Sequence, residues 1–296
     1  MILVTGGTGF IGSALVKQLF AEGNKVRILI RPSRISPNIP RGIPVEVAVS
    51  NLNDERGLRA AMRNVKTIFH LAGTERKGSL ADLNGVDLQG TETLSKVAHE
   101  AGIERLIYLS HLGADRSSGF SLMKAKAIAE ASIIRSGVDY TIIRSAAVFG
   151  RGDQFTEPFV RLAKMEPLLF LLPGDGSALL QPLWFHDLIA CLILTMQDGK
   201  YKNQRIQIGG MEQFSFKQIL ETIFRYKRIH RLFVPFSPVY LRWLTLNLEQ
   251  FANLFPVSIF WLDYLASNHT CPLDNITRLF GIIPARFSQT LEYLDR

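Results

Sequence analysis

Met1-Ile2-Leu3-Val4-Thr5-Gly6-Gly7-Thr8-Gly9-Phe10-Ile11-Gly12 opens the chain, and its reading decides the fold. A short apolar run that suits a buried strand leads at once into a glycine-rich turn and then into a helical pattern. Gly6 permits the tight turn, Gly9 lets the backbone approach a pyrophosphate, and Gly12 lets helix and strand pack closely. Thr8, Phe10 and Ile11 complete the turn, and a pyrophosphate placed there sits at the positive end of the helix dipole. This GxxGxxG spacing between a strand and a helix predicts a dinucleotide site.

Outward from this motif, strand and helix signals alternate. Helix is expected over Ile11–Glu22, closed by Gly23-Asn24, and strand over Lys25–Ile30 and Val45–Val49. Asn53 or Asp54 can cap a helix that runs to about Arg63. Strands at Thr67–Ala72, Arg105–Ser110 and Tyr140–Arg144 alternate with helices at Gly85–Ala101 and Lys124–Ser136. The pattern predicts an α/β protein in βαβαβαβαβαβ order, a Rossmann-type doubly wound parallel sheet. Residues 1–150 form the expected NAD(P)-binding domain. Residues 151–296 form a smaller, mostly helical C-terminal part that completes the sheet and covers the cleft as a substrate or lid subdomain. Within it, Leu179–Leu183 and Gln204–Ile208 read as strands, and Asp187–Met196 and Phe216–Tyr226 as helices.

Composition narrows the class of partner. Apolar residues make up 47% and charged residues 20% of the 296, which describes a globular chain able to bury a sizeable core. The net charge of +8 favours an anionic partner, such as a phosphorylated cofactor or an anionic membrane face. Neither zinc spacing nor a helix-turn-helix signature is present, so nucleic acid is not an expected partner. Cys191 and Cys271 stand far apart without metal-ligand spacing and read as reduced, partly buried thiols, which suits the cytoplasm. Met1 runs straight into the first strand, so no cleaved leader is expected. No uncharged apolar run reaches the ~18 residues of a membrane span. The expected location is cytoplasmic, with a place on the cytoplasmic side of a membrane left open.

The end of the second strand selects between cofactors. An acidic residue there usually binds the ribose hydroxyls of NAD. This chain has Ile30-Arg31-Pro32-Ser33-Arg34 instead, with no acid and two arginines. Arg31 and Arg34 can hold a 2′-phosphate through charge-assisted bonds, so NADP(H) is expected over NAD(H).

Further segments carry a family resemblance: HLAG (His70–Gly73), YLSHLGA (Tyr108–Ala114), KAKAIAE (Lys124–Glu130), YTIIRSAAVFGRGD (Tyr140–Asp153), PGDG (Pro173–Gly176) and the Asp187 of WFHD. With the TGGTGFIG start, they resemble the extended and atypical short-chain dehydrogenase/reductase superfamily, the NAD-dependent epimerase/dehydratase-like proteins, over residues 1 to about 220. Within it the chain looks most like the group holding the dehydrogenase-like accessory subunit of respiratory complex I and its bacterial relatives. The resemblance implies that Ala72 and Gly73 are the small pair beside the cofactor and that Asn51-Leu52 lies near the adenine. It implies that Ser110 lies near the nicotinamide and that Lys126, with Glu130 in a KxxxE pattern, holds the nicotinamide ribose. It also exposes a departure. The superfamily's tyrosine acid stands four residues before the lysine, on the same helix face. Counting back from Lys126 gives Leu122, and from Lys124 gives Phe120; neither carries a hydroxyl. His111 can serve as an acid/base in its place, or stand as a loop histidine without a role. The set Lys126, Ser110 and His111 is therefore what remains for chemistry. Two readings stay open: an oxidoreductase or isomerase acting on a small or lipid-like substrate, and a non-catalytic subunit, assembly factor or sensor that binds NADP(H).

The segment Arg225–Arg231 is basic, and Trp243, Phe251, Phe255, Phe260, Trp261 and Tyr264 crowd the stretch after it. That stretch reads either as a helical lid over the substrate cleft or as a peripheral membrane or protein-complex contact.

Overall fold

A computed structural model describes residues 1–33, 39–40, 42–165, 168–251 and 256–295. In chain order the elements begin β1 (Ile2–Thr5), α1 (Phe10–Ala21), β2 (Val26–Ile30), β3 (Glu46–Val49), α2 (Glu55–Ala61) and β4 (Thr67–His70). They continue with α3 (Thr91–Glu100), β5 (Arg105–His111), α4 (Ser121–Arg135), β6 (Tyr140–Ser145), β7 (Val148–Phe149), α5 (Thr156–Met165) and β8 (Leu169–Pro173). Then come β9 (Leu179–Leu180), β10 (Leu183–Trp184), α6 (Phe185–Gln197), β11 (Gln204–Ile208), β12 (Phe214–Ser215) and α7 (Phe216–Tyr226). The last are β13 (Leu232–Phe236), α8 (Pro238–Phe251), α9 (Ile259–Tyr264) and α10 (Asn275–Phe280).

Seven strands form the main sheet in the order β11-β6-β5-β4-β1-β2-β3, and β4–β5, β4–β1, β1–β2 and β2–β3 are parallel pairs. This is a Rossmann-like α/β fold. Its central strands β1 and β4 are buried along their whole length, as suits a sheet covered by helices on both faces, while the edge strands β3 and β11 are largely exposed. Leu3, Leu29, Ile68, Leu106, Tyr108 and Ile142 point into one core with Leu58 of α2, Leu94 and Val97 of α3, and Ala129 and Ile133 of α4. The alternate positions Val4, Ile28, Phe69 and Ile107 are buried on the opposite face, where α1 contributes Leu15, Val16 and Leu19.

The chain divides into two compact units. One comprises Met1–Thr74, Asp82–Arg144 and Ile189–Gln207; the other comprises Glu75–Ala81, Ser145–Leu188 and Ile208–Arg296. In the first, the buried Arg105 guanidinium donates to Thr141 Oγ1 on β6 and to the Thr195 carbonyl on α6, tying β5 to both. The second has an aromatic core: Phe155 stacks on Trp261 at 4.7 Å, and Phe159 meets Phe216 edge-on at 5.0 Å. Asp153 starts α5 by accepting from the backbone N–H groups of Phe155, Thr156 and Glu157.

Three expectations change. No helix separates β2 from β3 among the described residues, so the strict βα alternation fails there. The expected helix at Gly85–Ala101 becomes regular only at Thr91, because wider π-type turns occupy Leu83–Gly90. A side chain at Gly90 would stand 2.9 Å from Leu52 Cβ, so this segment needs its glycine where it crosses Leu52. The expected strand Leu179–Leu183 is two short strands, β9 and β10, broken at Pro182, which has no N–H to donate. The Gln181 side chain holds the break, donating to the Gly210 carbonyl and accepting from the Cys271 N–H. Cys191 and Cys271 are buried thiols. No helix among the described residues is long and apolar enough to cross a membrane.

His70, at the end of β4, is fully buried between two hydroxyls, with Thr5 Oγ1 2.7 Å from Nδ1 and Thr91 Oγ1 3.0 Å from Nε2. Burial, and then the nearby Lys126 charge, push its imidazole from an ordinary 6.5 down to about 3. The folded protein therefore refuses a proton that the unfolded chain accepts, so this group weakens folding as pH falls from 6.5 toward 3. By pH 5 the cost is about 2 kcal/mol. The thermal midpoint should therefore fall more steeply between neutral pH and pH ~5 in the wild type than in His70→Leu. Equal slopes in the two proteins would refute this.

Candidate functional site

The order of the sheet locates the site. α1 carries the chain from β1 to β2 on one side, while β4 and β5 lie on the other side of β1. Ligands of open α/β sheets bind in the crevice outside the strand carboxyl ends at such a reversal. At that edge Thr5 is in register with His70, and His70 with Tyr108.

The glycine turn sits directly beyond Thr5. Gly6 has φ +71, a left-handed conformation, and a Cβ there would lie 2.7 Å from the Leu71 carbonyl carbon. Gly12 is closed by the turn itself, since its Cβ would stand 2.2 Å from the Gly6 carbonyl oxygen. Gly9 differs: the nearest atom to a Cβ there is Gly6 O at 3.2 Å. Gly6 and Gly12 are thus required by the protein's own backbone, whereas Gly9 leaves room on the outside. Gly9 is the N-cap of α1, no side chain caps that helix, and no acid stands in its first turn. That is the environment in which backbone N–H groups and the helix dipole hold a pyrophosphate. Thr8, Phe10 and Ile11 are half-buried around the turn.

The other expected cofactor residues frame the same edge. Ala72 is half-buried, and its N–H donates to Thr5 Oγ1 at 3.3 Å; Gly73 is exposed. Asn51 is exposed, and its side-chain oxygen accepts from the Asn53 N–H, while Leu52 is half-buried against Gly90. Arg31 is exposed at the end of β2. Arg34 lies outside the described residues.

The helix α4 brings two ion pairs together. Lys126 is 2% exposed, and its Nζ lies 3.1 Å from Oδ1 of the fully buried Asp87. The other Asp87 oxygen accepts from the Thr74 hydroxyl at 2.5 Å. One turn on, Glu130 accepts a fork of bonds from Arg144 and a 2.6 Å bond from the Ser110 hydroxyl. Tyr108 lies between the two layers: its ring stacks on His70 with centroids 5.3 Å apart, and Lys126 Nζ is 5.5 Å from the ring centre. His111 is half-buried at the end of β5. Phe120 is the N-cap of α4, and Leu122 occupies its first turn, half-buried, on the side of the helix that carries Lys126.

Sequence reasoning did not single out Asp87, Thr74 or Thr91, and it gave Tyr108 no part. Asp87 and Thr74 carry no local motif; only the turns through Leu83–Gly90 bring them to Lys126. The signal for Arg144 was present within the YTIIRS strand but pointed to no partner until Glu130 was placed beside it.

Comparison with known proteins points to the same class of ligand. A family described as NAD(P)H-binding matches residues 6–158, just over half of the chain. The chain is 29% identical over 230 residues to the mitochondrial NADH dehydrogenase (ubiquinone) 1 alpha subcomplex subunit 9 of Arabidopsis thaliana, covering 75% of this chain and 56% of that one. It is 33% identical over 172 residues to sterol demethylase protein B of Methylococcus capsulatus, covering 51% of this chain and 52% of that one. It is 30% identical over 172 residues to ceramide reductase of Caulobacter vibrioides, covering 58% and 54%. The chain thus spans little more than half the length of these relatives. Two solved structures share the fold. An NADPH-dependent quinone oxidoreductase of Escherichia coli, complexed with NADPH, aligns over 100% of both chains with TM-score 0.77 at 14% identity. The UDP-glucose 4-epimerase of Thermus thermophilus, complexed with NAD, aligns over 99% of this chain and 96% of that one with TM-score 0.73 at 19% identity.

Fold, crevice and glycine turn together define a nicotinamide-dinucleotide-binding protein of the Rossmann type. The chain belongs to the NAD(P)H-binding family.

The three glycines separate fold from binding. Gly9→Val should keep the circular dichroism of the wild type, with at most a modest drop in thermal midpoint, while losing at least about tenfold in nucleotide affinity, since the one protein atom near its Cβ is the Gly6 carbonyl oxygen at 3.2 Å. Gly12→Val should fail to fold, because no rearrangement short of moving the turn removes a 2.2 Å approach to backbone. A folded Gly9→Val that binds as well as the wild type would show that the turn is not the phosphate site.

Proposed function

We propose that this protein binds NADP(H) in preference to NAD(H) and uses it, as an atypical short-chain dehydrogenase/reductase, on a small or lipid-like substrate. What carries the reading is the turn itself, closed at Gly6 and Gly12 and open outward only at Gly9 over an uncapped helix end. Residues 1–150 are the nucleotide part, and residues 151–296 supply the substrate side and the contact with a membrane or protein complex, on the cytoplasmic side. The names of two relatives, sterol demethylase protein B and ceramide reductase, support a lipid-like substrate. The exposed Arg31, with no acid beside it at the end of β2, supports the 2′-phosphate.

A bound nicotinamide supplies or accepts a hydride; the chain has to manage the proton. Lys126 is assigned to the ribose, Ser110 to a hydrogen bond near the reacting centre, and His111 to acid/base work. In this arrangement the Ser110 hydroxyl donates to Glu130, and Leu122 stands where the superfamily has its tyrosine. General acid catalysis is worth roughly 10²–10⁴ in rate, so ordinary carbonyl reduction should be slow. The same geometry favours the second reading, a subunit, assembly factor or sensor in which bound nucleotide stabilises the fold.

Fluorescence titration should show tighter binding of NADPH than NADH, and Arg31→Asp should erase most of the difference through repulsion of the phosphate. Equal affinities in the wild type would refute the preference. With a panel of carbonyl substrates, NADPH oxidation should be absent or slow in the wild type and should rise in Leu122→Tyr, which restores a hydroxyl one turn before Lys126. Robust wild-type turnover would mean that another group supplies the proton.

A further inference from the structure

We propose that the outer face of β8, β13 and the first turns of α8 docks on the surface of an anionic lipid bilayer. This deepens the reading that the C-terminal region meets a membrane or a complex, by naming the face and its occupant.

β8 and β13 pair in parallel from Leu232↔Leu169 to Phe236↔Pro173. One face of this ribbon is core: Phe170 and Leu172 are buried, and Phe233 stacks on Phe224 with centroids 5.7 Å apart. Strand alternation turns Leu169, Leu171, Leu232, Val234 and Phe236 to the other face. There Leu232 is 66% exposed, Leu169 42% and Phe236 38%. The chain then turns through Ser237 into α8. On α8, Val239, Tyr240, Trp243 and Leu244 share one side of the helix by spacing, and all four are exposed, Val239 at 74% and Trp243 at 66%. Leu241 and Thr245 are the buried side of the same turns. The helix thus turns large apolar residues, including Trp and Tyr, to the solvent.

The charge around this face selects the occupant. From Arg225 to Leu248 the chain holds Arg225, Lys227, Arg228, Arg231 and Arg242 and no acidic residue. Arg225 and Arg228 are exposed, as is Lys164 at the end of α5. Lys227 pairs with Asp295 and Arg242 with Asp263, while Arg231 donates to the Ala163 carbonyl and keeps its charge. An apolar face with cations at the start of β13, where Arg228 and Arg231 precede Leu232 and Arg231 reaches the carbonyl next to Lys164, complements a layer whose surface is anionic and whose interior is hydrocarbon. Trp243 and Tyr240 suit the boundary between those layers, where an apolar ring and a polar edge are both satisfied. No described helix can span the layer, so the contact is one that lies on it.

The test floats the full chain with vesicles of equal parts phosphatidylglycerol and phosphatidylcholine, and with phosphatidylcholine alone. At low salt the protein should float with the mixed vesicles about tenfold more than with the neutral ones, and high salt should remove most of the difference. Tyr240→Gln/Trp243→Gln should lose flotation by about tenfold at an unchanged thermal midpoint and NADPH affinity. Arg225→Gln/Arg228→Gln should lose the preference for the anionic vesicles while leaving the midpoint unchanged. Failure of the wild type to float, or a Tyr240→Gln/Trp243→Gln protein that floats like it, would overturn the proposal. So would binding of a single protein partner through this face without vesicle binding. NADPH titration of the same samples reads the cofactor assignment independently.

Discussion

The turn between β1 and α1 is the constraint on which the rest depends. The Gly6 carbonyl oxygen lies where a Gly12 side chain would be, and the Leu71 carbonyl lies where a Gly6 side chain would be. The first contact seats the helix on the turn, and the second brings the end of β4 against it. Both approaches are between backbone atoms, which cannot rotate away as a side chain can. The outcome is a helix whose N-terminal end faces the carboxyl edge of the sheet, beside the point where strand order reverses.

Polar groups behind this edge are organised in layers rather than scattered. His70 sits between the Thr5 and Thr91 hydroxyls, Tyr108 stacks on it, and Lys126 with Asp87 lies beyond. Buried charges are tolerable when each meets an opposite charge and further hydrogen bonds, and the Thr74 bond to Asp87 and the Ser110 bond to Glu130 supply these. The same network ties the lysine assigned to the nicotinamide ribose into the core. A lysine held this firmly is suited to positioning. It also means that deleting Lys126 would strand a buried Asp87, so loss of function in such a variant would mix chemistry with stability.

The aromatic residues of the C-terminal region serve two different ends. Phe155, Phe159, Phe216 and Trp261 pack against one another as core. Trp243 and Tyr240 do not join them. The sequence is rich in aromatics in both places; what differs is the side of the helix on which each ring falls and what lies opposite it.

Much of the fold was legible from local pattern. The glycine spacing, the apolar strands and the helix over Phe216–Tyr226 follow from backbone sterics and hydrophobic periodicity, which act over a few residues. The absence of a hydroxyl at Leu122 and Phe120 was equally plain, because a helix places residues four apart on one face whatever surrounds it. The break at Pro182 had a local signal, a residue with no N–H, but the partners that hold it, Gly210 and Cys271, and the Leu52 contact that requires a glycine at Gly90 lie far away in the chain. The pairing of Lys126 with Asp87, the capture of Ser110 by Glu130, the burial of His70 between two threonines and the outward turn of Trp243 belong to tertiary structure alone. The first three depend on groups far apart in the chain meeting at hydrogen-bond or van der Waals distance, and the last on which side of α8 the rest of its unit buries; no spacing along one segment encodes what another segment will bring to it.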